Sequence, residues 1–246
     1  MGATLEIRDL TLRFGGVTAL HRLRLSLAPG TVLGLAGPNG SGKSSLINVL
    51  TGHYRGEGSI LLDSEQIDHL AAPERVRLGM TRTFQAPRTY RRMSVLENLD
   101  AACHAFRPLL RNRSVRRCET KEMHAQLERF GLGHLAHALP DQLTPVEQRL
   151  LELARAHVTG ARLLLLDEPA AGTTEAEAHY LRQVMAEHVL PGRTAILIEH
   201  RLDFLRALCS ELVVLQAGRM LAQGAPDDVF AKAEVRETLM GEPVHA

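Results

Sequence analysis

Eight residues, GPNGSGKS from Gly37 to Ser44, fit the pattern G-x-x-x-x-G-K-[ST]. Glycines at that spacing let successive backbone N–H groups turn inward onto phosphate oxygens. Gly37, Pro38, Asn39, Gly40, Ser41 and Gly42 are therefore candidate phosphate-binding residues, with Lys43, Ser44 and Ser45 following them. Lys43 suits the β- and γ-phosphates, and Ser44 suits Mg2+. A second stretch, LLLLDEP from Leu163 to Pro169, ends an apolar run in two acids. Asp167 suits Mg2+, held through water. Glu168 suits the base that polarises an attacking water. Each stretch has a plainer reading, a glycine-rich turn or a strand capped by solvated acids. Their presence in one chain points instead to transfer of a phosphoryl group to water.

Such chemistry needs a strand, a loop and a helix in sequence, and the pattern supplies them. TVLGLAG runs as a short apolar strand into the glycine loop, and SSLINVLTG continues as a helix ending at Gly52. Upstream, Leu5, Ile7, Leu10, Leu12 and Phe14 alternate loosely with charge, and LRLSL alternates more strictly before a turn at Pro29-Gly30. GSILLD reads as a further strand. From about Ser94 to His157 the pattern is helical, with no convincing strand. LLLLDEP and TAILIEH then read as buried strands around the helix EAEAHYLRQVMAEHV. ELVVLQAGRMLAQG reads as a hairpin turning at Ala217-Gly218, followed by a pair of short helices. The expected fold is α/β: a phosphate-loop core with an antiparallel β subdomain over 1–85 and 159–246, and an inserted helical subdomain over 86–158.

Composition narrows the partners. The chain has 246 residues and a formal net charge of +1, so no global field favours nucleic acid or anionic lipid. No apolar stretch reaches the roughly 20 residues of a membrane span. The opening LEIRDLTLRF carries charge where a secretory leader has an apolar core. The three cysteines, Cys103, Cys118 and Cys209, form no metal pattern and suit a reducing cytoplasm. Tryptophan is absent, which disfavours a stacking platform for single strands.

Taken with their order, these motifs resemble the ABC ATPase family over nearly the whole chain. GPNGSGKS resembles its Walker A loop, and LLLLDEP its Walker B strand. The resemblance implies ATP and Mg2+ as ligands. It also implies roles for further residues. Gln85 in RTFQ resembles the Q-loop glutamine, which senses Mg2+ and water. His200 in LIEH resembles the switch histidine at the γ-phosphate. Phe14 stands where the family places a ring against adenine. The metal set would then be Ser44, Gln85 and Asp167, and the catalytic set Glu168, His200 and Gln85. FGGVTAL, GMTRTFQ, SVLENL, DEPAAG and ILIEHRLDFL resemble ATP-binding subunits of branched-chain amino-acid importers, with urea and amide importers as near relatives. That resemblance implies membrane permease subunits, a second ATP-binding subunit and, indirectly, a solute-binding protein as partners. It implies a place on the cytoplasmic face of the cell membrane, and no nucleic-acid partner. APRTYRRMSVLENL, after Gln85, would line the groove that receives a permease helix.

Two stretches depart from the family pattern. The signature loop, usually LSGGQ, is here LTPVEQRLLELARA from Leu143. Pro145 lacks an N–H, Val146 puts a β-branched side chain where a glycine is usual, and Glu147 adds negative charge. Thr144, Pro145 and Glu147 instead read as an N-cap, a first-turn proline and a capping box. After Walker B, Thr174 stands where relatives place Asp or Asn. Since ABC sites combine one chain's Walker motifs with the other's signature, the departures suggest an asymmetric heterodimer. Two alternatives remain: a weakly hydrolytic, nucleotide-gated module, and a soluble ABC protein acting outside transport. The arginines at 107, 111, 113, 116 and 117 read first as a solvated face.

Overall fold

The computed structural model describes residues 2–106 and 120–240, so the Arg107–Arg117 cluster and Cys118 lie outside the described residues. In chain order the first elements are β1 (Leu5–Phe14), β2 (Val17–Leu27), β3 (Val32–Ala36), α1 (Lys43–Leu50), β4 (Glu57–Leu62), β5 (Glu65–Gln66), α2 (Ala72–Arg77) and β6 (Met80–Arg82). Then come α3 (Val95–Phe106), α4 (Thr120–Arg129), α5 (Pro145–Val158), β7 (Leu163–Asp167), α6 (Glu175–Val184) and β8 (Thr194–Ile198). The chain continues through α7 (Leu202–Leu208), β9 (Glu211–Gln216), β10 (Arg219–Gly224), α8 (Pro226–Ala231) and α9 (Ala233–Met240). The chain divides into two compact units, Met1–Arg75 with Gly192–Ala246, and Val76–Pro191. The helical segment expected over 86–158 falls inside the second unit, which also takes in β6, β7 and α6.

In the first unit an antiparallel sheet runs β2-β1-β4-β5. Its apolar pattern has a three-residue gap between Ile7 and Leu10 and another between Leu20 and Leu23. A strict two-residue repeat would turn the later leucines outward. Instead the register shifts between Ile7 and Leu10, and Asp9 and Arg22 adopt left-handed backbones, with φ of 51° and 47°. These bulges return Leu10 and Leu23 to the buried face, opposite one another. In the same unit β3 pairs in parallel with both β8 and β9, and β9 pairs with β10 as the expected hairpin. The turn residues Ala217 and Gly218 have φ of 46° and 76°, as a tight hairpin requires. β3 and β8 are buried along their full length.

The second unit pairs β6 and β7 in parallel, and α3, α4 and α5 pack on one another. Between Ser94 and His157 the described residues carry helices and no strand, as the pattern predicts. The three-residue β6, the two-residue β5 and the six-residue α2 are too short for periodicity to reveal. α6 runs on into a π-helical turn at Met185–Val189. Cys103 is disulfide-bonded, which a reading of cysteines suited to a reducing cytoplasm does not anticipate. Cys209 is a free thiol, and burial pushes it up to about 12.

One buried charge ties the end of α1 to the segment that precedes α2. Arg75 is only 1% exposed and donates to the carbonyls of Val49 and Leu50, at 2.6 and 2.8 Å. It also donates to Leu70 O and Asp68 O, at 3.0 and 3.2 Å. The last carbonyls of a helix have no partner within it. Arg75 therefore closes the end of α1, the helix that begins at the phosphate loop, and burial lowers its pKa. Arg75→Leu leaves several of these acceptors unsatisfied in the interior and should destabilise the chain by about 2–4 kcal/mol. The midpoint of urea unfolding measures this.

Candidate functional site

The sequence-predicted residues fall into two groups. Gly37–Ser45, Phe14 and His200 belong to the first unit, and Gln85, Asp167 and Glu168 belong to the second.

The phosphate loop joins β3 to α1. Gly37, Gly40 and Gly42 have φ of 147°, 80° and 110°, values that side chains rarely tolerate. A Cβ on Gly42 would lie 2.7 Å from Ala19 O, and one on Gly37 would collide with Leu215 O. Gly40 has nothing within 4 Å of that position, so its glycine answers to the backbone turn alone. The hairpin turn of β9 and β10 pins the loop from outside: Gly218 N–H donates to Ser41 O at 2.9 Å, and His21 N–H to Gly218 O at 2.8 Å. That tether has no local sequence signal.

Lys43 is 6% exposed and curls over its own loop, donating to Gly37 O at 2.6 Å and Pro38 O at 3.0 Å. Ser41 Oγ is buried without a hydrogen-bond partner in the protein. Ser44 is exposed on the first turn of α1, and Ser45 is half-buried. Pro38 and Asn39 are exposed. A lysine, an orphaned hydroxyl and a glycine-lined turn at a helix N-terminus fit the oxygens of a polyphosphate.

Phe14 is 45% exposed and meets Tyr54 edge-on, with ring centroids 5.0 Å apart. Tyr54 was not singled out by the sequence, because nothing in its spacing links it to Phe14. His200 is exposed just after β8, and its backbone N–H donates to Glu199 Oε2 at 3.1 Å.

In the second unit Gln85 and Glu168 are brought together. Gln85 Nε2 donates to Glu168 Oε2 at 2.8 Å. Glu168 has a left-handed φ of 49°. Such a backbone costs a non-glycine residue roughly 1–2 kcal/mol and is a feature of functional turns. It turns the chain sharply after β7. Asp167 is 7% exposed, and its carboxylate pairs with Arg82 Nη2 at 2.9 Å. Its N–H donates to Thr83 Oγ1 at 3.2 Å.

Mg2+ takes oxygen ligands. The hydroxyl of Ser44 and the carboxylate of Asp167 are such donors. With its nitrogen on Glu168, the oxygen end of the Gln85 amide is the one suited to a cation. The ion pair with Arg82 marks Asp167 as a place where positive charge is favoured. Taken singly, Ser44, Asp167 and Gln85 each carry an oxygen donor of the kind Mg2+ accepts.

The signature stretch folds as its residues predict. Thr144 N-caps α5, with Pro145 in the first turn. Glu147 Oε2 accepts from both Thr144 N–H, at 2.7 Å, and Thr144 Oγ1, at 2.8 Å. The threonine hydroxyl that a signature loop presents to phosphate is thus directed at a carboxylate of its own helix. Thr174 does the same for α6, with Glu177 as partner.

Sequence reasoning passed over Arg82, Arg149 and Glu152. Arg149 and Glu152 lie on α5, each 6% exposed. Burial pushes the Glu152 carboxyl up, while backbone N–H groups and Arg149 pull it down. Charges set among Leu150, Leu151, Leu153 and Ala154 were the available signal.

Gly42→Ala places a Cβ against Ala19 O at a φ of 110°. It should weaken nucleotide binding at least about tenfold, a loss of ~1.4 kcal/mol. Titration calorimetry of the purified chain reads this directly.

Comparison with known proteins identifies the family. The family described as ABC transporter matches residues 20–171, more than half of the chain. The chain is 36% identical over 249 aligned residues to the high-affinity branched-chain amino acid transport ATP-binding protein LivG of Escherichia coli K12, covering 97% of this chain and 98% of that one. It is 34% identical to the corresponding protein BraF of Pseudomonas aeruginosa, with 97% and 98% covered. An ATP-binding cassette of an ABC transporter in its ADP conformation superposes with a TM-score of 0.84 at 29% identity, covering 98% of this chain and 100% of the other. The protein cbiO1 of Clostridium perfringens, part of the ABC transporter complex cbiONQ, superposes with a TM-score of 0.79 at 26% identity, with 94% and 92% covered. A phosphate loop with Lys43 folded over it, Gln85 on Glu168 beside the Walker B aspartate, and likeness over nearly the full length make this chain a member of the ABC transporter family, an ATPase with the P-loop ABC fold.

Proposed function

We propose that this chain is the ATP-hydrolysing subunit of an importer for branched-chain amino acids or a related small solute. It would sit on the cytoplasmic face of the cell membrane against permease subunits that receive solute from a binding protein. The supporting observation is the near-full-length likeness to ATP-binding proteins named for branched-chain amino-acid transport. No described helix is long and apolar enough to cross a membrane, so attachment would run through partners.

In this reading Lys43 and the loop N–H groups hold the phosphates, while Phe14 faces the base. Ser44, Asp167 and Gln85 would hold Mg2+, which supplies neutralising charge to the phosphate oxygens. Glu168 orients the attacking water, and Gln85 keeps that carboxylate in place. His200 contacts the γ-phosphate. Catalysis is then a matter of positioning and fixed charge.

We also propose that the chain works with a different ATP-binding subunit. Supporting this is the Thr144–Glu147 cap, whose carboxylate and proline would stand where, in this reading, a partner's triphosphate needs donors. The site served by this signature would be slow, and the one built on this chain's Walker motifs would carry hydrolysis. The same cap favours a second reading, in which ATP acts as a clamp with little turnover.

The chain alone should hydrolyse ATP slowly and gain at least about tenfold when joined to a subunit with an intact signature. Glu168→Gln should lower the assembled rate by about 100-fold or more. Steady-state ATPase assays with and without Val146→Gly check this. Brisk turnover by the isolated chain, indifferent to Val146→Gly, overturns the asymmetry. An assembled rate unmoved by Glu168→Gln overturns the assigned base.

A further inference from the structure

Three side chains along α5 hold the segment that follows β6. Arg149, Glu152 and Arg155 stand three residues apart, on one face of the helix. Arg149 forks onto two successive carbonyls, Phe84 O at 2.8 Å and Gln85 O at 2.5 Å. Glu152 Oε1 accepts from Phe84 N–H at 3.0 Å, and the carboxylate also accepts from the backbone of Arg88. Arg155 donates to Arg88 O and lies over the Tyr90 ring, 4.8 Å from its centroid. Every backbone group named here belongs to a stretch with neither helix nor strand. Without α5 those groups would have no regular partner.

The grip reaches the candidate chemistry at one point. Gln85 is held by its carbonyl to Arg149 and by its side chain to Glu168. The same helix begins at the Thr144 cap. A rigid helix with three anchors cannot shift along its axis without moving the 84–90 segment. A segment displaced from outside must in turn pull the cap.

From this geometry we infer that Arg149, Glu152 and Arg155 are positioning residues that make residues 84–90 and the start of α5 move as one body, setting Gln85 against Glu168. This rests on the role proposed above for Gln85. Arg149 is suited to the task because its planar fork holds two successive carbonyls in a fixed relative geometry, which the rotatable ammonium of a lysine does not impose. Glu152 contributes acceptors, so glutamine in its place keeps an oxygen for Phe84 N–H.

The test combines amide hydrogen exchange on the full chain with kinetics of its active assembly. Glu152→Ala and Arg149→Lys should speed exchange across 84–90 at least tenfold, with β7 and α1 unchanged. In both variants kcat should fall at least tenfold, while the Kd for a fluorescent ATP analogue stays within twofold. Glu152→Gln should recover most of the protection and of kcat. Unchanged exchange at 84–90 in both variants overturns the inference, as does a loss of protection throughout the chain in both, which would mark the pair as general core. Gln85→Ala separates the two readings. If it leaves kcat intact, the role of Gln85 falls, while the exchange data still decide whether α5 grips the segment.

Discussion

Backbone polar groups that no helix or strand can satisfy are the constraint on which this molecule depends. The chain changes direction sharply wherever chemistry is placed, and each change exposes N–H or C=O groups. Inside a protein such groups must find partners. At the end of α1 the carbonyls of Val49 and Leu50 turn to Arg75. After β6 the groups of Phe84 and Gln85 turn to Arg149 and Glu152. At the phosphate loop Ser41 O is met by Gly218, while the hydroxyl of the same serine has no protein partner. Loops are closed by charged side chains from helices. What is left over at the glycine loop is the part that, in the proposed function, would recognise phosphate.

The same accounting gives the altered signature its meaning. A capping box satisfies a helix N-terminus internally. Thr144 and Glu147 do this for α5, and Thr174 and Glu177 do it for α6. An N-terminus satisfied by its own side chains has less to offer a partner's triphosphate. In the reading proposed above, stability of the helix start and recognition across a dimer would draw on the same donors. This chain resolves the conflict toward the helix, whereas the phosphate loop at the start of α1 has no side-chain cap at all.

Much of the fold was legible because the relevant forces are local. The glycine pattern at 37, 40 and 42 anticipated three left-handed backbones. The apolar runs of β3, β7 and β8 anticipated buried strands, and Ala217-Gly218 anticipated its hairpin turn. β5, β6 and α2, of two, three and six residues, escaped, since periodicity needs length. The bulges at Asp9 and Arg22 also escaped as such, although the three-residue gaps between leucines recorded them.

The sequence by itself determined which residues are candidates for chemistry, namely the phosphate loop, the Asp167-Glu168 pair, Gln85 and His200, and that Thr144 to Glu147 cap a helix. These follow from residue type and from neighbours a few positions away. Only the tertiary structure decided which side chain answers which. Arg82 pairs with Asp167, Arg75 closes α1, and α5 holds the backbone beside Gln85, across separations of 85, 26 and 64 residues. No spacing rule reports such pairs. A buried charge finds its partner through the packing of whole elements, and that is settled only when the chain has folded.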